Sequence, residues 1–336
     1  MVIFDNIISL LQKTGGVNKL FEEIWAELDR VSFPYYLLYE VDKSPDGIRL
    51  MERYRDCRVP SRFSSKNYIF HSTYYRLEAP HKYQGRVVTT VHDFTYERFI
   101  GGIRGLVHTT QKLRAINRSD IVICVSDSTK MDLLDFLPSF PENKIRVIHN
   151  GVSDTFQPSL YTLDGYHNHV LFVGRRGRYK NFQLLVEALA QLKDLKLVCV
   201  GGGEFSLYER VILHKYLRGR YEHLGYVSDA ELNLVYNSVL CLVYPSLYEG
   251  FGIPVLEAMR AGCPVVALRT SSIPEVAGEA AILISDPDVD ELCAAIRMTS
   301  EQFKRTELRN LGFSQSSRFS WRNTARSTIE VYEELI

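Results

Sequence analysis

No run of the 336-residue chain reaches 18 consecutive apolar residues, so none of it reads as a transmembrane helix. The opening residues, Met1-Val2-Ile3-Phe4-Asp5-Asn6, lack a basic stretch followed by an unbroken apolar one, which speaks against a secretory signal. Cysteines stand singly at 57, 124, 199, 241, 263 and 293, several inside apolar runs, with no Cys-x-x-Cys pair. They read as reduced core residues of a cytosolic protein without a zinc site. Net charge is zero, which argues against bulk nucleic-acid binding. The His-Glu-x-x-His zinc motif, the Walker phosphate loop, the serine nucleophile elbow, internal repeats and low-complexity segments are all missing.

What is present suits a globular protein of two domains: 46% of residues are hydrophobic and 24% charged. Apolar runs alternate with helical patterns, the signature of parallel sheets covered by helices. In the first half Val2–Leu10, Tyr35–Tyr39, Tyr68–Phe70, Val87–Val91, Ile121–Val125 and Ile145–Ile148 read as strands. Phe21, Ile24, Trp25 and Leu28 have helical spacing, and Asp127 or Ser128 is placed to cap a helix through Phe136. Turn formers from Asn150 to His169 mark a boundary. A second series follows, with strands at Val170–Val173, Leu197–Val200, 239–243, Val265–Ala267 and Ala281–Ile284. Helices are expected at Phe182–Leu192, at Phe205–Tyr216 and from Pro254, with a closing amphipathic helix after Phe319. Residues 1–150 hold 21 Lys+Arg against 18 Asp+Glu, an excess concentrated between Arg49 and Lys66. That stretch reads first as a solvated surface, and alternatively as a contact for anionic lipid or a pyrophosphate-linked acceptor.

The most informative segment runs from Tyr244 to Met259. It leaves the apolar run 239–243, turns through Gly250 and Gly252, and restarts as a helix at Pro254, a residue suited to a first helical position. The N–H groups of Phe251, Gly252 and Ile253 are thereby expected at a helix N-terminus, where a phosphate is favoured. Glu249 and Glu257 bracket that seat. A phosphate site flanked by two acceptors suits a nucleotide sugar, whose hydroxyls need them. A departing diphosphate also needs fixed cations, and Gly174-Arg175-Arg176-Gly177-Arg178-Tyr179-Lys180-Asn181 follows a strand directly. Glycines after other strands, Gly15-Gly16 and Gly201-Gly202-Gly203, permit close backbone approach to a ligand. His92-Asp93, His71 and Ser126 each stand at the carboxyl end of an expected strand, where open α/β sheets bind ligands.

The segment Glu249-Gly250-Phe251-Gly252-Ile253-Pro254-Val255-Leu256-Glu257-Ala258 resembles the Glu-x7-Glu signature of retaining glycosyltransferases of family 4. The similarity extends through Gly225-Tyr226-Val227-Ser228-Asp229 and Ala261 to Ala267, ending at Ser271 to Gly278. The resemblance implies a GT-B fold: two Rossmann-like α/β domains, 1–160 and 161–318, with parallel sheets facing a central cleft, and a helix in 319–336 crossing back to the first. It further implies metal-independent hexosyl transfer with retention, from a nucleoside diphosphate sugar (GDP-mannose or a UDP-hexose) to a saccharide or lipid-linked saccharide, without a cofactor. Lys180 and Arg175, with Arg176 competing for the latter place, would hold the diphosphate. Glu249 would accept from the sugar and Glu257 from the ribose. Gly15, Gly16, Gly203, Tyr226, Val227, Phe251, Gly252 and Ile253 would line the donor site. His92 would lie near the transferred sugar, and Asp93, His71 and Ser126 on the acceptor side. The segments around His71 and His92 are similar to bacterial enzymes of surface-polysaccharide (O-antigen, capsule, lipopolysaccharide) assembly, which implies a cytoplasmic chain, peripheral at the inner face of the membrane. The rival readings are a nucleotide-sugar epimerase of the same fold, which would turn over donor without acceptor, and an inactive donor-binding subunit.

Overall fold

Short runs of Val, Ile, Leu and Phe, most of them followed by a turn and a helix, build two parallel α/β units in the computed structural model, which describes residues 1–12, 15–38, 56–63, 67–79 and 85–336. One unit comprises Met1–Gly151 with Ser320–Ile336, the other Val152–Phe319. Among the described residues no helix is long and apolar enough to cross a membrane.

The first unit contains β1 (Val2–Phe4), α1 (Ile8–Leu11), α2 (Gly16–Arg30), β2 (Tyr35–Leu37), β3 (Ile69–Ser72) and β4 (Arg86–Val91). It continues through α3 (Thr95–Phe99), α4 (Gly102–Arg118), β5 (Ile121–Cys124), α5 (Asp127–Phe136) and β6 (Ile145–Val147). Its described strands are all parallel, in the order β2-β1-β3-β4-β5-β6. The expected first strand, Val2–Leu10, stops at Phe4. Asp5 is fully buried and needs donors, which it finds in the Thr73 N–H at 2.8 Å and the Thr73 hydroxyl at 2.7 Å. Asn6 then takes a left-handed φ of 52° and turns the chain into α1. The cap of α5 is neither Asp127 nor Ser128 but Ser126, whose Oγ accepts the Thr129 N–H at 3.0 Å. Helix α4 escapes sequence reading because its inward face is Gly105, His108, Lys112, Ala115 and Ile116, which makes no apolar stripe. Of the basic stretch, 49–55 and 64–66 lie outside the described residues, as do Thr14 and Tyr39. Arg62 stacks over the rings of Tyr36 and Phe63.

The second unit contains β7 (His169–Val173), α6 (Phe182–Gln191), β8 (Lys196–Val200), α7 (Leu207–Leu217), β9 (Tyr221–His223), α8 (Asp229–Ser238) and β10 (Cys241–Tyr244). It is completed by α9 (Ile253–Ala261), β11 (Val265–Leu268), α10 (Ile273–Ala277), β12 (Ile282–Ile284), α11 (Val289–Met298) and α12 (Gln302–Ser316). Strand order β12-β11-β10-β7-β8-β9 reverses direction between β7 and β10, so the carboxyl ends of these two strands form the topological switch point where such sheets bind ligands. Residues before 160 already belong here. The N–H groups of Gln157, Ser159 and Leu163 are held by Asn233 Oδ1, Asn237 Oδ1 and Ser238 Oγ of α8 at 2.7–3.0 Å.

The last helix, α13 (Trp321–Glu333), belongs to the first unit and packs along α2. Its buried Trp321, Ala325, Ile329, Val331 and Tyr332 form the apolar side that the sequence pattern led us to expect. All six cysteines are buried thiols, and burial pushes Cys124, Cys199 and Cys241 up to about 12.

Candidate functional site

At the switch point of the second unit, two loops meet. The loop after β7 carries Lys180 at the end of a short helical turn, Arg178–Lys180; the loop after β10 carries Glu249. The Leu247 N–H donates to the Tyr179 carbonyl at 2.7 Å and ties the loops together. Lys180 Nζ reaches Glu249 Oε1 at 2.5 Å, with both side chains largely buried, and lies 3.5 Å from the Tyr244 hydroxyl. A third loop, after β11, fixes the second from outside. The Glu249 N–H donates to Ser271 Oγ at 2.8 Å, and the Ser272 hydroxyl donates to the carbonyls of Glu249 and Phe251 at 3.0 and 2.9 Å. The Thr270 hydroxyl holds the Ser246 carbonyl at 2.7 Å. Nothing in residue spacing marks these hydroxyls as supports of a loop more than twenty residues earlier, and sequence reasoning gave them no role.

Helix α9 starts at Ile253, one residue before the expected Pro254, with Gly252 as its cap at φ 104°. That left-handed conformation favours glycine, and a Cβ there would lie 2.8 Å from Ile273 Cδ1, so the Ile273 methyl would have to give way. The N–H groups of Gly252 and Ile253 belong to the set that a helix start leaves without intrahelical partners. Glu257 accordingly falls just beyond the first turn. It is half-buried, and its Oε2 accepts the hydroxyl of fully buried Tyr236 at 3.0 Å. Burial pushes the Glu257 carboxyl up to about 7, opposed by the Tyr236 hydrogen bond and helped by the charge of Asp229. Both carboxylates act on one phenol: Tyr244 is pushed well above its usual range by burial first, then by Glu249, with Glu257 contributing. Tyr236, a support of Glu257 from α8, is a residue the sequence did not signal.

The two competing arginines separate. Arg176 turns back to donate to the carbonyls of Gly201, Gly203 and Glu204 at 3.1, 2.5 and 3.2 Å, stacks over Phe205 and faces Glu209 at 3.3 Å. Position 202 in the loop it braces cannot bear a side chain, since a Cβ there would sit 2.4 Å from the Gly174 carbonyl. Arg175 is exposed and makes no hydrogen bond or ion pair with any described residue. Gly203 is exposed, as is Tyr226, while Val227 is half-buried.

In the first unit, Gly15 and Gly16 are exposed at the start of α2. His92 and Asp93 follow β4. The His92 N–H donates to the Tyr75 hydroxyl at 3.3 Å, and burial holds the imidazole down to about 4, with Asp93 opposing and Lys112 assisting. The Asp93 carboxylate accepts the Thr95 N–H at 2.9 Å and its carbonyl accepts Lys112 Nζ at 2.8 Å. Two expected acceptor-side residues have other work. His71 is fully buried, with Nδ1 bonded to Tyr332 at 2.6 Å and Nε2 to Thr90 at 2.9 Å, so it joins β3 and β4 to α13 and lines no surface. Ser126 is likewise buried and caps α5.

Residues 158–310 match the family described as glycosyl transferases group 1, and residues 64–156 the one described as glycosyltransferase family 4. Over 290 residues the chain is 29% identical to O-antigen chain mannosyltransferase B of Escherichia coli, covering 80% of this chain and 75% of that protein. It is 25% identical to the serotype-specific mannosyltransferase WbdA of Escherichia coli over 79% of this chain, and spans only 36% of that longer protein. Among solved structures, sucrose-phosphate synthase from Thermosynechococcus elongatus superposes with a TM-score of 0.80 at 18% identity, over 99% of this chain and 98% of that one. Anabaena Alr3699/HepE in complex with UDP-glucose superposes with a TM-score of 0.72 at 17% identity, over 99% of both. With two Rossmann-like parallel sheets and these relatives, the chain belongs to the family 4 glycosyltransferases and has the GT-B fold.

Proposed function

We propose that this glycosyltransferase moves a hexose, with retention and without a metal, from a nucleoside diphosphate sugar to a saccharide acceptor of a surface polysaccharide. The observation that carries the reading is the meeting of Lys180 and Glu249 at the switch point, beside the start of α9. The mannosyltransferase relatives favour mannose as the sugar, hence GDP-mannose as donor; the UDP-glucose held by the structural neighbour keeps a UDP-hexose as the alternative.

Lys180 and Glu249 neutralise one another in the structure. A diphosphate entering against the N–H groups of Gly252 and Ile253 takes over Lys180, and Glu249, released from it, accepts from the sugar hydroxyls. Arg175, which has no competing partner among the described residues, supplies the second cation. Glu257, steadied through Oε2 by Tyr236, offers its other oxygen to the ribose. In the transfer step the bond from the anomeric carbon to the β-phosphate oxygen breaks, and the acceptor hydroxyl oxygen bonds to that carbon on the same face. The hydroxyl proton passes to the departing phosphate oxygen. His92 is neutral at pH 7, so it can stand near the sugar without adding charge. We place the acceptor on a lipid-linked saccharide, with the chain acting in the cytoplasm and peripheral to the membrane.

A thermal-shift screen of nucleotide sugars, followed by product analysis, tests the proposal. GDP-mannose is expected to raise the melting temperature most, and the product anomer to match the donor anomer with EDTA present. An inverted product, loss of turnover in EDTA, or protection by no nucleotide sugar would each contradict it.

A further inference from the structure

The glycine loop after β8 is held by a side chain from the loop after β7. Gly201, Gly202 and Gly203 take φ of 72°, 75° and 72°, a left-handed run that residues with a side chain rarely adopt. Glycines also give up the most backbone freedom on ordering, so such a turn is poorly preset without a brace. Arg176 supplies one. Its Nη1 donates to the Gly201 carbonyl at 3.1 Å, and its Nη2 reaches the carbonyls of Gly202, Gly203 and Glu204 at 3.4, 2.5 and 3.2 Å. The guanidinium is fixed in turn. Its side chain is 1% exposed, stacks over the Phe205 ring at 4.6 Å and has Glu209 Oε1 as counter-charge at 3.3 Å. Glu209 is anchored through its other oxygen, which accepts the Ser206 N–H at 2.7 Å where α7 begins.

A trans peptide sets each carbonyl opposite the N–H that follows it. With these carbonyls gathered on one guanidinium, the N–H groups of Gly202, Gly203, Glu204 and Phe205 face away from it. None of them donates to a described residue, and Gly202, Gly203 and Glu204 are exposed. Glu204, the one acid in the loop, is drawn toward Arg210 at 3.8 Å. A cation on the carbonyl side polarises the peptide units and strengthens their donors. The loop stands at the carboxyl end of β8, beside the end of β7 that leads to Lys180, and the Gly174 N–H donates to the Val200 carbonyl at 2.9 Å between the two strand ends. The structure assigns Arg176 the role of a positioning residue for the donor. Acting through the glycine loop, it presets a row of backbone N–H groups for the anionic nucleoside diphosphate. This assignment rests on the proposed function and deepens it: Arg175 and Lys180 meet the diphosphate directly, whereas Arg176 never touches it. Lysine cannot take over the task, because a compact ammonium does not span carbonyls spread along a planar fork.

Calorimetric titration of GDP, UDP, GDP-mannose and UDP-glucose into the full chain, paired with transfer kinetics, tests this. Arg176→Met keeps the stem on Phe205, and Arg176→Lys keeps the charge. Each should raise the Kd of the nucleotide that wild type binds by about tenfold or more, and by the same factor with and without the attached hexose. Donor KM should rise alike, with kcat within about twofold of wild type. Arg220 provides the control for a purely structural arginine, since it holds the carbonyls of Leu189, Leu192 and Leu195 near the amino ends of β8 and β9. Arg220→Met should lower the melting temperature and leave nucleotide Kd unchanged. An unchanged Kd in either Arg176 variant overturns the inference, and so does an equal rise in Arg220→Met or a loss confined to kcat. If wild type binds none of the four ligands, the proposed reaction falls and this inference with it; wild-type binding that the Arg176 variants share refutes the inference alone.

Discussion

Glu257 sets stability against the donor-binding role proposed for it, at a single side chain. Burial raises its carboxyl to about 7, from about 4.3 in an unfolded chain. Between those values the folded protein retains a proton that the unfolded one has released. The group therefore costs nothing at low pH, and its penalty grows from about pH 4.3 to 7 and is complete above. Glu257→Gln removes the penalty while still accepting from Tyr236. Urea denaturation should find the variant more stable than wild type at pH 8 and indistinguishable at pH 4, although it binds donor less well; parallel pH profiles would contradict this. Lys112 is the opposite case. Lys112→Met takes from buried Glu97 its 2.7 Å ion pair and leaves it His108 at 3.9 Å, which should cost about 3–5 kcal/mol in urea denaturation. Glu97→Gln in the same chain should recover part of it. The acids and cations of the site were legible as residues: Glu249, Glu257 and Lys180 follow strands in a pattern with few other uses. Their supports were not. Tyr236, Ser271 and Ser272 come from elements distant in sequence, and only folding brings them into range. His71 misled because a strand-end histidine reads alike whether it faces ligand or core, and here Tyr332, 261 residues away, takes its Nδ1.

At the scale of elements, the start of α9 is where conformation and chemistry meet. Gly252→Ala forces a left-handed alanine against Ile273 and should destabilise the protein by about 1–2 kcal/mol. Because the same residue aims the N–H groups of the helix start, donor affinity should fall further than stability alone explains. A titration showing unchanged donor affinity would separate this helix from the diphosphate. Most strands of both sheets were legible because buried parallel strands are short, nearly uniform apolar runs; β9, a half-buried Tyr-Glu-His edge, was not expected. The helices were legible where their buried side is apolar, as in α2, α6 and α13, or where a capping residue announced them, as at α5. Helix α4 has a buried side of Gly, His and Lys, and its pattern carries meaning only once Glu97 and Asp93 are known to lie beneath it.

For the whole molecule, the last helix closes the first unit rather than the second. Ending the chain at Phe319 removes buried Trp321, Ile329, Val331 and Tyr332, each worth about 1.5–3 kcal/mol, a sum comparable to the whole stability of about 5–15 kcal/mol expected of a domain. Limited proteolysis of the truncated chain should cut within Met1–Gly151 and spare Val152–Phe319; equal resistance in both units would contradict the division. The division itself was only partly legible. Turn formers from Asn150 to His169 placed it, yet the side chains of α8 that claim residues 157–163 for the second unit lie 75 or more positions away. The central claim is that the second unit grips a nucleoside diphosphate sugar through Lys180, Glu249 and Glu257. Calorimetric titration of GDP-mannose and UDP-hexoses into wild type, Lys180→Ala and Glu257→Ala tests it most directly. One donor should bind wild type, and each variant should raise its Kd by about tenfold or more, as expected for losing a charge-assisted contact. Binding of that donor with the same Kd in both variants, or binding of none to wild type, would contradict the account.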